Sequence, residues 1–286
     1  MANKKLKAPV NIPVEKIHPF EGHPYKVLDN DEMNTLIESI QQKGVISPIV
    51  VRPLENTTEE YELISGHRRL RASVKAGLEA VPALIYAVSR DEAAIMLVDS
   101  NLHREHILPS EKAFAYKLKL EAIKRQGERT DLTSRQVVGK LESADLISEN
   151  ESGRQVQRYI RLTNLIPEIL DLVDEERIAF TPAVELSYLN EVEQADLVEE
   201  IRVCDATPNL SQAQRLRAIS REEGLTPEHI GEILAEEKAN QREKIKIPAE
   251  RIRKYFPKSY TTEQIEEAII KICESRYRAR RDRDAR

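Results

Sequence analysis

The stretch Tyr61-Glu62-Leu63-Ile64-Ser65-Gly66-His67-Arg68-Arg69-Leu70-Arg71-Ala72-Ser73-Val74-Lys75-Ala76-Gly77 changes character in its middle. Its first four residues form a short strand-like run, while residues 67–76 read as a short helix stopped by Gly77. Upstream, Ile49-Val50-Val51-Arg52 is another strand. Before it, Met33, Leu36, Ile37 and Ile40 share one helical face, and Gly44 falls where a C-cap glycine belongs. Downstream, Ala83-Leu84-Ile85-Tyr86 supplies a third strand. Short strands interleaved with helices predict a small α+β domain at the start of the chain.

From about residue 90 onward the pattern is almost continuously helical, and the helix starts are marked. Thr133-Ser134-Arg135-Gln136 and Ser152-Gly153-Arg154-Gln155 both fit a capping box, in which the first and fourth side chains satisfy each other's backbone N–H groups. Thr181-Pro182 and Thr226-Pro227 each set an N-cap residue before a proline at the first helical position. The polar run 241–246 suits a linker. A last helix is expected from near Thr261, with Ile265, Ala268, Ile269 and Ile272 on one side. At 286 residues the chain is long enough for two or three small domains, set here at 1–108, 109–240 and 241–286.

No run approaches the roughly 18 apolar residues of a membrane span, and Met1-Ala2-Asn3-Lys4-Lys5 leads into no apolar signal segment, so a cytoplasmic protein is expected. Cys204 and Cys273 lie far apart and outside any Cys/His ligand spacing, which argues against a disulfide framework or a zinc site. The net charge of −5 hides a strong segregation. Residues 101–161 carry 12 Lys/Arg against 9 Asp/Glu and residues 236–286 carry 15 against 10, whereas residues 162–235 carry 5 against 16. Two basic regions could neutralise phosphates; the acidic block between them should avoid DNA.

Three clusters carry chemistry. The first is Ser65-Gly66-His67-Arg68-Arg69, where a strand gives way to a helix: N–H groups at the helix start, a glycine and two adjacent guanidiniums make a triphosphate cradle. A solvated basic turn would look the same. The second, Asp99-Ser100-Asn101-Leu102-His103-Arg104-Glu105 followed by Leu108-Pro109-Ser110-Glu111-Lys112-Ala113, gathers an amide, a guanidinium and carboxylates at a helix end. Such groups bind phosphate, or Mg²⁺ held between phosphates, or else form an interhelical polar network.

Together, in this order and separation, these clusters resemble the nucleotide-binding motifs of ParB-type partition proteins. Gly66-His67-Arg68-Arg69 is similar to the family's Gly-Glu-Arg-Arg box, and Ser100-Asn101-Leu102-His103-Arg104 to its Glu-Asn-x-Gln-Arg box. Gly44-Val45-Ile46-Ser47-Pro48-Ile49-Val50-Val51-Arg52 resembles the Gly-x-x-x-Pro-Ile-x-Val-Arg segment, and the resemblance spans roughly residues 10–190. It implies a domain that binds CTP with Mg²⁺ and closes a homodimer into a clamp around DNA, with hydrolysis reopening it and a ParA-type ATPase as partner. The nucleotide-binding residues it implies are Gly66, His67, Arg68, Arg69, Asn101, Arg104 and Glu105, with Asn101 on the metal. His67 replaces the family's glutamate, and Ser100 replaces the acidic residue that helps hold the metal and support hydrolysis. CTP binding is therefore the firmer expectation, and CTP hydrolysis stays open.

The third cluster is a pair of capped helices at 133–141 and 152–163. In the second, Arg154, Arg158 and Arg161 recur at i, i+4 and i+7 with Gln155 and Gln157 beside them, as a recognition helix requires: arginine for phosphates and guanine edges, glutamine for adenine edges. With Arg135, Gln136 and Ser152 these form the expected DNA-facing set. A solvated structural helix is the bland alternative. The connection 142–151 exceeds the roughly three- or four-residue turn usual in a helix-turn-helix. The basic tail, Arg276 to Arg283, suits nonspecific phosphate contacts or plain solubility.

The fold class expected overall is α+β: a small mixed nucleotide-binding domain, an all-helical helix-turn-helix domain and a short helical C-terminal domain. The expected role is a centromere-type, nucleoid-associated DNA-binding protein serving a plasmid, chromosome or mobile element. A helix-turn-helix transcription regulator without nucleotide gating is the main alternative. A ParB-like nuclease ranks lower, since His67, His103 and His106 are the only nearby bases. Sulfiredoxin chemistry needs a cysteine where Gly66 stands.

Overall fold

The computed structural model of the protein describes residues 8–55, 57, 59–102, 104, 106–131, 147, 151–236, 252–257 and 259–284. The chain divides into two compact units, Met1–Glu236 and Glu237–Arg286.

The first unit is α+β at its start and helical thereafter. A five-stranded sheet has the order β1-β5-β3-β4-β2, built from β1 (Val10–Pro13), β2 (Ile17–His18), β3 (Ile49–Pro53), β4 (Tyr61–Ser65) and β5 (Ala80–Ile85). β1 runs antiparallel to β5, β3 parallel to β5 and antiparallel to β4, and β2 parallel to β4. Ile12, Ile49, Val51, Leu63, Val81 and Ala83 share one buried cluster, in keeping with alternate side chains pointing to one face of the sheet. β5 begins at Ala80, ahead of the expected start at Ala83. Pro82 hides that start: a proline cannot donate to the ladder and reads as a strand breaker, yet here it stands opposite Asn11 of β1. β1 and β2 are too short to show a period in sequence.

Two helices accompany this sheet: α1 (Asp31–Lys43), capped by the Asn30 side chain, and α2 (His67–Lys75). Met33, Ile40 and Ala72 join them in a small core. Gly44 terminates α1 at φ 69°, as expected of a C-cap glycine. A further layer, α3 (Arg90–Leu102) against α4 (Pro109–Asp131), buries Ala93, Ala94, Leu97, Val98, Ala115 and Ala122 with Phe20, Tyr25 and Ile64.

The helices α5 (Gly153–Arg161), α6 (Pro167–Asp174), α7 (Phe180–Leu186), α8 (Glu191–Cys204), α9 (Leu210–Glu222) and α10 (Pro227–Ala235) surround one apolar core. Ser152 caps α5 by accepting from Gln155 N–H, and Thr226 caps α10 with Pro227 behind it. The start assigned to Thr181-Pro182 is corrected: Ala179 is the N-cap of α7, and Thr181 lies inside its first turn. Pro182 is tolerated there because the first-turn N–H groups have no intrahelical acceptor. Two complete capping boxes, Asn190 with Glu193 and Asn209 with Gln212, open α8 and α9. The predicted helix 133–141 lies outside the described residues.

α4 is tied to this helical core through Asp174, which is 7% exposed and accepts from Ser110 N–H at 3.0 Å, Ser110 Oγ at 2.6 Å and Lys26 Nζ at 3.2 Å. In the second unit, α11 (Thr262–Asp284) opens on a reciprocal cap between Thr261 and Gln264, buries Ile265 and exposes Ile270, Ile272 and Tyr277. Among the described residues no helix is long and apolar enough to cross a membrane.

Candidate functional site

At the junction of β4 and α2 the chain must turn sharply from extended to helical backbone. Gly66 does this at φ 104°, a left-handed value, and a Cβ there would stand 2.8 Å from Ile49 Cγ2. Gly66 offers α2 no capping side chain, so the first-turn N–H groups keep the anion-binding capacity of a helix start. The two guanidiniums that follow have different surroundings. Arg68 is half-exposed and donates to Glu32 Oε2 of α1 at 2.9 Å. Arg69 turns inward and donates from Nη1 to the Ser47 and Pro48 carbonyls at 2.7 and 2.6 Å. It thereby clasps the turn between α1 and β3. Arg71 and Lys75, further along α2, converge on Asp29 and hold its carboxyl well below the usual carboxylate range.

His67 stacks on His23, with ring centroids 3.6 Å apart and an interplanar angle of 30°. Burial, with the neighbouring His23 and Arg104 charges adding to it, pushes His67 down to about 3. Burial likewise takes His23 down to about 4. Both rings are therefore neutral at physiological pH. Tyr25 lies beside them, its hydroxyl pushed up by burial, with the Arg104 guanidinium 5.5 Å from its ring. Among the described residues, Tyr25 OH and His67 Nε2 are buried without a hydrogen-bond partner. Arg104 is thus where the second sequence cluster meets the first.

Asn101 takes a different position. It is 5% exposed in the last turn of α3, where its Nδ2 donates to the Leu97 carbonyl at 2.7 Å and to Ser100 Oγ at 3.3 Å. Its side-chain oxygen takes no part in either bond. Asp99, which could have supplied charge in place of Ser100, pairs with Lys119 Nζ at 2.5 Å. Among the described residues no group of three His, Cys, Asp or Glu side chains could hold a metal ion. Glu111 caps its surroundings instead, accepting from the Lys26 and Leu108 N–H groups at 2.7 and 3.2 Å. Glu105 and His103 lie outside the described residues.

On α5, Val156 is buried, while Tyr159 and Ile160 pack toward Tyr116, Leu120 and Ile147. Ser152, Arg154 and Gln157 are exposed. Arg158 bends toward α7, donating to Gln155 Oε1 and Thr181 Oγ1, both at 3.1 Å, with its guanidinium carbon 4.9 Å from the Phe180 ring centroid. Arg161 donates to the Ser187 carbonyl at 3.2 Å. The stripe of arginines is therefore solvent-facing at Arg154 and partly folded over α7 at Arg158 and Arg161. Arg135 and Gln136 lie outside the described residues. At the base of α5, Lys112 pairs with Glu151, which also accepts from Tyr116 OH at 3.1 Å.

Residues 2–102 match the family described as the ParB N-terminal domain. The first third of the chain is thus similar to the ParB N-terminal domain. The chain is 33% identical over 193 residues to a nucleoid occlusion protein of Listeria innocua, a match covering 67% of this chain and 62% of the relative. It is 32% identical over 169 residues to the chromosome-partitioning protein Spo0J of Thermus thermophilus, covering 59% and 56% respectively. The chain thus spans about 60% of the length of these relatives. Among solved structures it is similar to a C-terminally truncated chromosome-partitioning ParB from Caulobacter crescentus complexed with CTP-γ-S, at 23% identity and TM-score 0.33, covering 68% of this chain and 99% of that one.

The sequence motifs mark His67, inside the matched residues 2–102, and Arg104 just beyond them, but not His23 and Tyr25. Those two sit in the loop after β2, where no periodicity singles them out. A signal is present in the composition: with 6 histidines in the chain, one falls beside Gly22 and another beside Gly66, each next to a turn glycine where burial of a polar ring is unusual.

Proposed function

We propose that this protein binds DNA in the segregation of a chromosome, plasmid or mobile element, as a homodimer whose ParB N-terminal domain binds CTP. The observation that carries the reading is the meeting of two sequence-distant motifs: His67 at the uncapped start of α2 stacks on His23, and the exposed Arg104 just beyond α3 lies against the buried Tyr25 beside them. Its relatives, named for nucleoid occlusion and chromosome partitioning, support the DNA half. In this reading the first-turn N–H groups of α2, Arg68 and Arg104 hold the triphosphate, and Gly66 lets the backbone approach it. Arg69 serves as the clasp that keeps the turn before β3 in place. Glu105 belongs to the same nucleotide set.

Mg²⁺, where bound, would shield the phosphate charge. The Asn101 side-chain oxygen would be the protein's contribution to holding it beside the phosphates. Closure of the dimer into a clamp on DNA, reopening by CTP turnover, and a ParA-type ATPase as partner complete the proposal. Ser152, Arg154, Gln155, Gln157, Arg158 and Arg161, with Arg135 and Gln136, are the proposed DNA-facing residues. Domain limits at 1–108, 109–240 and 241–286 are part of the same reading.

The deciding measurement is calorimetric titration with CTP, ATP and GTP in Mg²⁺, with and without random-sequence and host-element DNA. CTP-selective binding that Arg68→Ala abolishes, with initial DNA binding retained, supports the proposal; Arg158→Ala should do the reverse. One observation favours a second reading, a helix-turn-helix regulator without gating: Arg69 and Asn101 are already committed to internal hydrogen bonds. DNA binding with no response to any nucleotide would establish that reading instead.

A further inference from the structure

The acidic block 162–235 contains five arginines, and two of them are neutralised on open surface: Arg202 by Glu199 and Arg215 by Glu236, each at 2.6 Å. Arg217 of α9 is placed differently. Its guanidinium carbon stands 3.5 Å from the centroid of the Tyr188 ring, and that of Arg161, at the end of α5, stands 3.7 Å from the same centroid. Two guanidiniums at that distance would overlap on one face of a ring, so they occupy opposite faces and the tyrosine is held between them. Arg217 donates to Glu185 Oε2 at 2.6 Å, whereas Arg161 donates to the Ser187 carbonyl at 3.2 Å, and its Nε is buried without a partner among the described residues. Of these two positive charges Arg217 is paired with a carboxylate and Arg161 bonds to a carbonyl, in a cluster where Tyr188 is 44% and the Arg217 side chain 41% exposed.

A staple between helices needs a single cation on the ring. A second one, on the other face and not neutralised, calls for an anion from outside. Its place on the molecule says which: Arg154, Gln157 and Arg161 lie at i, i+3 and i+7 on α5, and Arg161 joins that row to the Tyr188 ring and Arg217. We infer that Arg161, Tyr188 and Arg217 form one phosphate-binding contact, extending the DNA-facing side of α5 onto α9. This rests on the DNA reading proposed above, and at Tyr188 and Arg217 it reverses the expectation that 162–235 avoids DNA. The tyrosine acts as a positioning residue: by cation–π attraction it fixes two flexible arginines in place before the phosphate arrives.

The test is the salt dependence of binding to a short random-sequence duplex, read by fluorescence anisotropy, with thermal melts as a control on folding. Arg217→Gln should lower the slope of log K against log salt by about 1 and weaken binding alike on every sequence. Tyr188→Ala should weaken binding in the same way, and Tyr188→Phe, which keeps the stack, should match the unaltered protein. A wild-type slope and affinity in Arg217→Gln and Tyr188→Ala, while Arg154→Ala loses binding, would overturn the inference and leave the DNA reading standing. Failure of the unaltered protein to bind any duplex would overturn both.

Discussion

Gly66 carries two constraints at once, a left-handed φ of 104° and an approach to Ile49 that leaves no room for a methyl group. Gly66→Ala should therefore cost about 2–3 kcal/mol in denaturant unfolding, since strain and overlap act together, and should weaken nucleotide binding further than stability alone explains. The stacked His67 and His23 rings make a different prediction. Both are held neutral in the fold, at about 3 and about 4, against 6.5 in the unfolded chain. Below pH 6.5 the unfolded state binds more protons, so the stability these rings allow is complete above that pH and is lost as pH falls toward 4. His67→Phe keeps the ring and removes the proton site. It should reduce the stability lost between pH 7 and 4.5 by on the order of 2 kcal/mol, checked by urea melts at the two pH values; an unchanged loss would mean that other groups drive the acid response.

At the scale of elements, α5 shows how capping and surface charge separate. Ser152 accepts from Gln155 N–H, so Ser152→Ala should cost about 1 kcal/mol of stability. Arg154→Ala, on an exposed position, should leave the melting temperature unchanged and weaken DNA binding; equal losses of stability from both would show that Arg154 is structural. The caps at Ser152 and Thr226 are legible in sequence because both residues precede a clear apolar period. The boxes at Asn190 and Asn209 carry the same signature, and at Asn190 the run of Asp, Glu and Gln that follows keeps the cap from standing out. Spacing alone puts Arg158 on a DNA-facing stripe. Its hydrogen bond to Thr181 depends on α7 lying beside α5, which no local pattern announces.

At the scale of the first unit, Asp174 ties α6 to the start of α4 and to the loop before α1. Asp174→Ala leaves Ser110 and Lys26 without this acceptor and should lower stability by about 3 kcal/mol, with calorimetry showing whether residues 1–236 still melt in one transition. A broadened or split transition is expected; an unshifted sharp one would mean that apolar packing alone couples the helices. The sequence by itself determined the alternation of short strands and helices, the change from mixed to helical structure near residue 90, the glycine at the head of α2 and the motifs that relate the chain to ParB proteins. These are local properties, written in side-chain period, caps and turn residues. Only the tertiary structure decided which charges are committed and which are exposed. Arg69 clasps a turn, Asn101 bonds to its own helix, His67 stacks on His23, and Arg217 joins Arg161 on Tyr188. The reason is physical: a charged or polar side chain is defined by its partners, and most of these partners lie far away along the chain.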